Sequence, residues 1–145
     1  MTYCVAAIVD EGLAFVSDSR TNAGVDQLST YSKMHRFFGD GERTFMMLSA
    51  GNLATTQGVV KSLERSVKSG LQPNLATAAD IEEAAECVGL ASVEEQQKYR
   101  GSNNSFAPEA TFIFGGQIRD QEPGLFMIYP EGNFVRASTV APYLQ

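Results

Sequence analysis

The chain has 145 residues and a formal net charge of −6, from 11 Lys and Arg against 17 Asp and Glu. That length is one domain, 1–145, able to bury about 68–70% of its unfolded surface, and 43% hydrophobic with 19% charged residues is an ordinary globular balance. The acidic balance, with no Lys/Arg cluster, argues against nucleic acid as a partner. The lack of an apolar run near 18 residues argues against a membrane helix, and the start lacks a signal peptide's basic region, so a cytoplasmic location is expected.

The first fifth, MTYCVAAIVDEGLAFVSDSRT, reads as a β-hairpin. Two apolar runs, TYCVAAIV and LAFVS, flank the turn Asp10-Glu11-Gly12. Its far ends then bring Thr2 close to Asp18 and Arg20. Residues 21–27 are polar and read as a loop. Residues 29–37 alternate and read as one strand, with Tyr31, Lys33 and His35 on one face. Gly39-Asp40-Gly41 is a turn, and 44–50 is an apolar strand covered on both faces.

Residues 52–68 read as a helix with Leu53, Thr56, Val60, Leu63 and Val67 on its buried face. Ser69-Gly70 ends it and Pro73 blocks its resumption. A second helix is expected from Thr77 to Arg100, with Asp80 completing an acidic capping box and a possible break at Gly89. Residues 101–105 read as a loop. Three strands follow, 110–118, 124–129 and 133–138, the last two around the turn Pro130-Glu131-Gly132. Strands, two helices, then strands imply an α+β fold with helices on one face of an antiparallel sheet system.

Cys4 and Cys87 read as small buried hydrophobes in a reducing compartment. One histidine, His35, makes no metal-ligand cluster. No metal or cofactor is expected.

The chemistry concentrates at the hairpin. Threonine needs a base to act as a nucleophile. An N-terminal threonine carries one, because a free α-amine titrates near about 7.7–8.0. That requires removal of Met1. Lys33 would hold the Thr2 hydroxyl and lower its pKa, and Asp18 would orient Lys33. Gly51, between a strand and a helix N-terminus, offers a backbone N–H suited to an oxyanion.

The pieces MTYCV, SDSRTNAGVDQ, KMHRF and LSAGNLATTQ, in this order from Met1 to Gln57, with APEATFIFGGQI as a later strand, resemble the β-type subunits of the proteasome family. The resemblance is strongest to the bacterial branch called Anbu, the ancestral beta subunit. It implies an N-terminal-nucleophile hydrolase with a four-layer αββα sandwich, of which 1–145 would be the N-terminal portion, the polypeptide continuing past Gln145 or another chain supplying the missing layers. It implies a threonine peptidase with catalytic Thr2, Asp18, Lys33 and Gly51. The substrate would be a peptide or unfolded protein, and the subunits a homo-oligomeric ring or open helical assembly. The family's supporting serine and aspartate would lie beyond Gln145. Substrate-binding positions by resemblance are Arg20, Thr21, Asn22, Tyr31, Ser49 and Leu53. Asn22 stands where the family often has threonine, and Thr55 where many members have aspartate. Two other functions fit the same pieces: an amidase or acylase acting on small amides, and a catalytically silent structural or assembly subunit.

Overall fold

A computed structural model describes residues 2–22, 28–99 and 108–145; of residues 20–22 and 28–30 it describes the backbone only. The expected loop at 101–105, most of the 21–27 stretch, Met1 and Arg100 lie outside the described residues.

The opening hairpin pairs β1 (Cys4–Val9) with β2 (Gly12–Ser17), from Cys4↔Ser17 to Val9↔Gly12. Two residues, Asp10 and Glu11, make the turn. The short strands β3 (Arg20–Asn22) and β4 (Leu28–Thr30) form a separate ribbon flanking 23–27. The structure departs from the sequence pattern at two places. Part of the expected 21–27 loop is strand, and the expected single strand over 29–37 is two. Its second half is β5 (Met34–Phe38), which belongs to a different sheet from β4. Because residues 31–33 lie between strands, strand alternation does not place Tyr31 and Lys33 on one face with His35.

The main sheet is antiparallel, in the order β5, β6 (Arg43–Gly51), β7 (Ala110–Ile118), β8 (Gly124–Ile128) and β9 (Phe134–Arg136). Its central strands are apolar at nearly every position because both faces are covered. Phe45, Met47, Phe112, Phe114 and Phe126 point toward the helices. Their alternate neighbours Leu48, Ile113 and Leu125 point toward the hairpin. A two-residue strand absent from the sequence reading, β10 (Tyr143–Leu144), adds to the free edge of β1.

Helix α1 (Leu53–Ser69) is capped by Asn52, whose side chain accepts from the Thr55 N–H, and closed by Gly70 in the left-handed region at φ 70°. Helix α2 (Ile81–Gln97) begins later than the sequence suggested. Asn74 organises a turn by accepting from the Ala76 and Thr77 N–H groups, so Thr77 is consumed before the helix. The capping box is Asp80 with Glu83: Asp80 accepts from the Glu83 N–H, and Glu83 reaches back to the Ala79 N–H. Gly89 does not break the helix. It is where the Pro130-Glu131-Gly132 turn lies against it; a Cβ there would stand 2.3 Å from the Gly132 carbonyl oxygen. The result is three layers: the helix pair, the five-stranded sheet, and the sheet β10-β1-β2.

Candidate active site

The ribbon β3-β4 explains how two residues fifteen apart in sequence meet. Its ladder runs back to a bond from the Tyr31 N–H to the Ser19 carbonyl, at 3.3 Å. Asp18 leads into the ribbon and Lys33 leaves it, so the two lie side by side at its root. The hairpin supplies the third group. The Asp18 N–H donates to the Tyr3 carbonyl at 3.0 Å, and the Tyr3 N–H donates to Asp18 Oδ1 at 2.8 Å. That closes the hairpin one step beyond its last strand pair and sets Thr2 against Asp18.

Lys33 Nζ stands 2.9 Å from both carboxylate oxygens of Asp18 and donates to Thr2 Oγ1 at 3.2 Å. The Lys33 side chain is 9% exposed and that of Asp18 30%. A cation this enclosed needs its counter-ion, and the bidentate carboxylate provides it. The ammonium is thereby aimed at a hydroxyl, the arrangement that stabilises an alkoxide relative to the neutral alcohol.

Strand β6 forms the floor. The Ser49 N–H donates to the Lys33 carbonyl at 2.9 Å, and Ser49 Oγ donates to the same oxygen at 3.5 Å. Gly51 ends the strand at φ 109°, a conformation that favours glycine. A Cβ there would stand 2.5 Å from the Glu109 carbonyl oxygen. The next N–H, that of Asn52, donates to that same oxygen at 3.0 Å. Strand end and helix start are thus tied to β7.

Cys4 and Asn52 also belong to this site, although nothing in the sequence pattern assigned them to it. Cys4 Sγ donates to the Ser49 carbonyl at 3.7 Å, joining β1 to β6. Burial pushes its thiol pKa up; Lys33 pulls it down and Asp18 raises it further. Alternation alone could have turned Cys4 inward, but nothing in the sequence names its partner. Asn52 before an apolar helix is a legible cap.

Among the substrate-binding candidates, Ser49 is buried, Leu53 half-buried and Tyr31 41% exposed. The side chains of Arg20, Thr21 and Asn22 lie outside the described residues. His35 lies apart from this cluster: burial lowers its pKa, while Glu64 of α1 partly offsets that. An apolar cavity of about 270 Å³ between the sheets is rimmed by Thr2 and Cys4 and lined by Leu48, Ala50, Ile113 and Met127. Among the described residues no group of three His, Cys, Asp or Glu side chains could hold a metal ion, and no helix is long and apolar enough to cross a membrane.

No protein-family model matches the chain, and no curated protein matches it. Solved structures do. Anbu (ancestral beta-subunit) from Yersinia bercovieri is 44% identical, with a TM-score of 0.89, over 97% of this chain and 58% of that one. An Anbu mutant from Hyphomicrobium sp. strain MC1 is 43% identical, with a TM-score of 0.88, over 100% of this chain and 59% of that one. The Anbu complex from Pseudomonas aeruginosa, described as a helical assembly, is 36% identical, with a TM-score of 0.91, over 97% of this chain and 58% of that one. The chain therefore spans somewhat under three-fifths of the length of these structures.

Proposed function

From this chain's place in the Anbu branch of the proteasome-like peptidases, we propose that it is a threonine peptidase subunit that hydrolyses peptide bonds with Thr2 as nucleophile. The observation that carries the reading is the Lys33 ammonium held between the Asp18 carboxylate and Thr2 Oγ1. A structural ion pair has no need of a hydroxyl at its open end; a nucleophile has need of the ammonium. In this reading Met1 is removed. The freed α-amine takes the proton from Thr2 Oγ1 as the oxygen attacks the scissile carbonyl, and returns it to the leaving amine. Lys33 lowers the energy of the developing alkoxide. The Gly51 N–H faces the oxyanion. Water then hydrolyses the acyl-enzyme ester.

The proposal extends to the fold and the assembly. It takes the architecture as the αββα sandwich of N-terminal-nucleophile hydrolases, with a second helical layer over the outer face of β10-β1-β2. Supporting it, that face carries Val16 and Tyr143 at 65% and 61% exposed. The subunits form a homo-oligomer, the reading supported by the helical assembly of the Pseudomonas aeruginosa relative. Peptide or unfolded protein is the substrate. Thr21, Tyr31, Ser49 and Leu53 surround the side chain before the scissile bond, favouring a large apolar or aromatic residue there, while Arg20 and Asn22 sit along the substrate backbone.

The test is intact mass of the N-terminus combined with peptide turnover. A species beginning at Thr2 should be active. Thr2→Ala and Lys33→Ala should each abolish turnover while the fold persists, with the double variant little worse than either single one. Undiminished turnover by Thr2→Ala would sink the assignment. Fluorogenic peptides with Leu or Tyr before the cleaved bond should outperform those with Asp or Arg. Turnover of small acyl amides but not peptides would select the amidase reading, and retention of Met1 with no turnover the silent assembly subunit.

A further inference from the structure

We infer that the outer face of the helix pair is a self-complementary docking surface that takes a second copy of this chain. The solvent faces of the two helices differ in charge: α1 exposes three cations and one carboxylate, Glu64, whereas α2 exposes three carboxylates. On α1 the exposed Lys61, Arg65 and Lys68 form a basic stripe; on α2 the exposed Glu82, Glu86 and Glu94 form an acidic one. Among the described residues, none of these six side chains is in an ion pair. Between the stripes runs a groove of about 480 Å³ that Arg65 and Glu94 both line. Its rim holds two of the most exposed large apolar side chains of the described residues, Leu71 at 68% and Leu90 at 59%.

The registry argues for a copy rather than an unrelated protein. Gly58, near the start of α1, lies against Glu95, near the end of α2, so the helices run antiparallel. Both rise at about 1.5 Å per residue, so residues whose numbers add to that of this pair share a level. Lys61 is then level with Ser92, Arg65 with Val88 and Lys68 with Ala85. Each cation sits between two members of the opposite stripe. A two-fold axis parallel to the helices, lying between two such faces, sets α1 of each copy over α2 of the other at the same level. Lys61 then meets Glu94, Arg65 meets Glu86 beside Leu90, and Lys68 meets Glu82 and Glu86. Self-complementarity of this kind is what a two-fold interface requires.

Two quantities fit. With a net charge of −6, copies of the chain repel in general, and the basic stripe of α1 is where an acidic copy can approach. Two helices of 17 residues present roughly 25 by 20 Å, which buries about 1,000 Å² in a symmetric pair, near the lower limit for a specific interface. The association should therefore be salt-sensitive.

A charge swap tests it. One variant carries Lys61→Glu, Arg65→Glu and Lys68→Glu; the other carries Glu82→Lys, Glu86→Lys and Glu94→Lys. Circular dichroism checks that each remains folded, and light scattering after size exclusion reads the mass. Each variant alone should show half the mass of the wild-type particle, and an equimolar mixture should regain it. Salt on the order of 0.5 M should produce the same halving in the wild type. Should the variants not fold, carbodiimide cross-linking of mixed isotopically light and heavy wild-type chains decides: links between Lys61 or Lys68 of one copy and Glu82, Glu86 or Glu94 of another are expected, and their absence overturns the proposal. Unchanged mass in the reversed variants, or no recovery on mixing, overturns it as well. So does a face that recruits only a different protein, because wild-type mass is then indifferent to both reversals.

Discussion

In the five-stranded sheet, Phe45, Met47, Leu48, Phe112, Phe114, Leu125, Phe126 and Ile128 are fully buried, whereas among the described residues of β1 and β2 Ala6 is buried and the rest are half-buried or exposed. The central sheet is packed from both sides; the hairpin sheet rests on it by one face. Yet the candidate nucleophile belongs to the looser sheet and its lysine to the approach of the tighter one. The bonds joining them, Lys33 to Thr2 and to Asp18 and Cys4 to Ser49, are therefore also bonds between layers. Chemistry and docking of the hairpin share the same few polar atoms.

The largest expected effect separates the sheets directly. Phe126→Ala, at a fully buried position of β8, should cost about 3–5 kcal/mol of stability in urea unfolding. Val16→Ala, on the outer face of β2 at 65% exposed, should stay within about 0.5 kcal/mol in the 1–145 chain, where no second helical layer covers that face. Comparable losses would contradict the asymmetry between the layers. Next in size is Asp18→Asn, which keeps the acceptor for the Tyr3 N–H but leaves the Lys33 ammonium without its carboxylate. A loss of about 2 kcal/mol is expected, together with loss of turnover. A variant as stable as wild type would mean that the interlayer ion pair does not help hold the hairpin.

The smallest effect belongs to His35, on the edge strand of the tight sheet. Burial lowers its pKa below the ordinary 6.5, so the unfolded chain takes up a proton first as pH falls. Its contribution to stability is complete above the unfolded value and is lost as pH drops through 6.5 toward the lowered one. Melting temperature between about pH 7.5 and 5.5 should therefore fall less in His35→Gln than in wild type. Equal slopes would show that the histidine titrates alike in both states.

Most strands and both helices could be read from local pattern, because apolar periodicity, Asn52, Gly70 and the Pro130-Glu131-Gly132 turn are local signals. What escaped was set by distant atoms. The chain breaks strand geometry at 31–33, where Lys33 reaches Asp18 and Thr2. Gly89 looks like a helix breaker until the Gly132 carbonyl is placed against it. Thr77 looks like a cap until Asn74 claims it. β10 is two residues long and has no period to read. At the site, residue types and order made Thr2, Asp18 and Lys33 legible as candidates. That Asp18 serves Lys33 and the Tyr3 amide together was not, since it depends on hairpin register.

That register makes the hairpin a ruler. From the two-residue turn at Asp10 and Glu11, six cross-strand pairs run to Cys4↔Ser17, roughly 20 Å at the rise of a strand. The turn lies at the far end from the nucleophile, yet the number of residues in it decides which side chain arrives opposite Thr2. One residue added there and absorbed by sliding would turn every side chain of one strand to the other face, and Ser17 or Ser19 would take the place of Asp18. The count of residues between Thr2 and Asp18 cannot vary, unless a bulge takes up the difference before the site is reached.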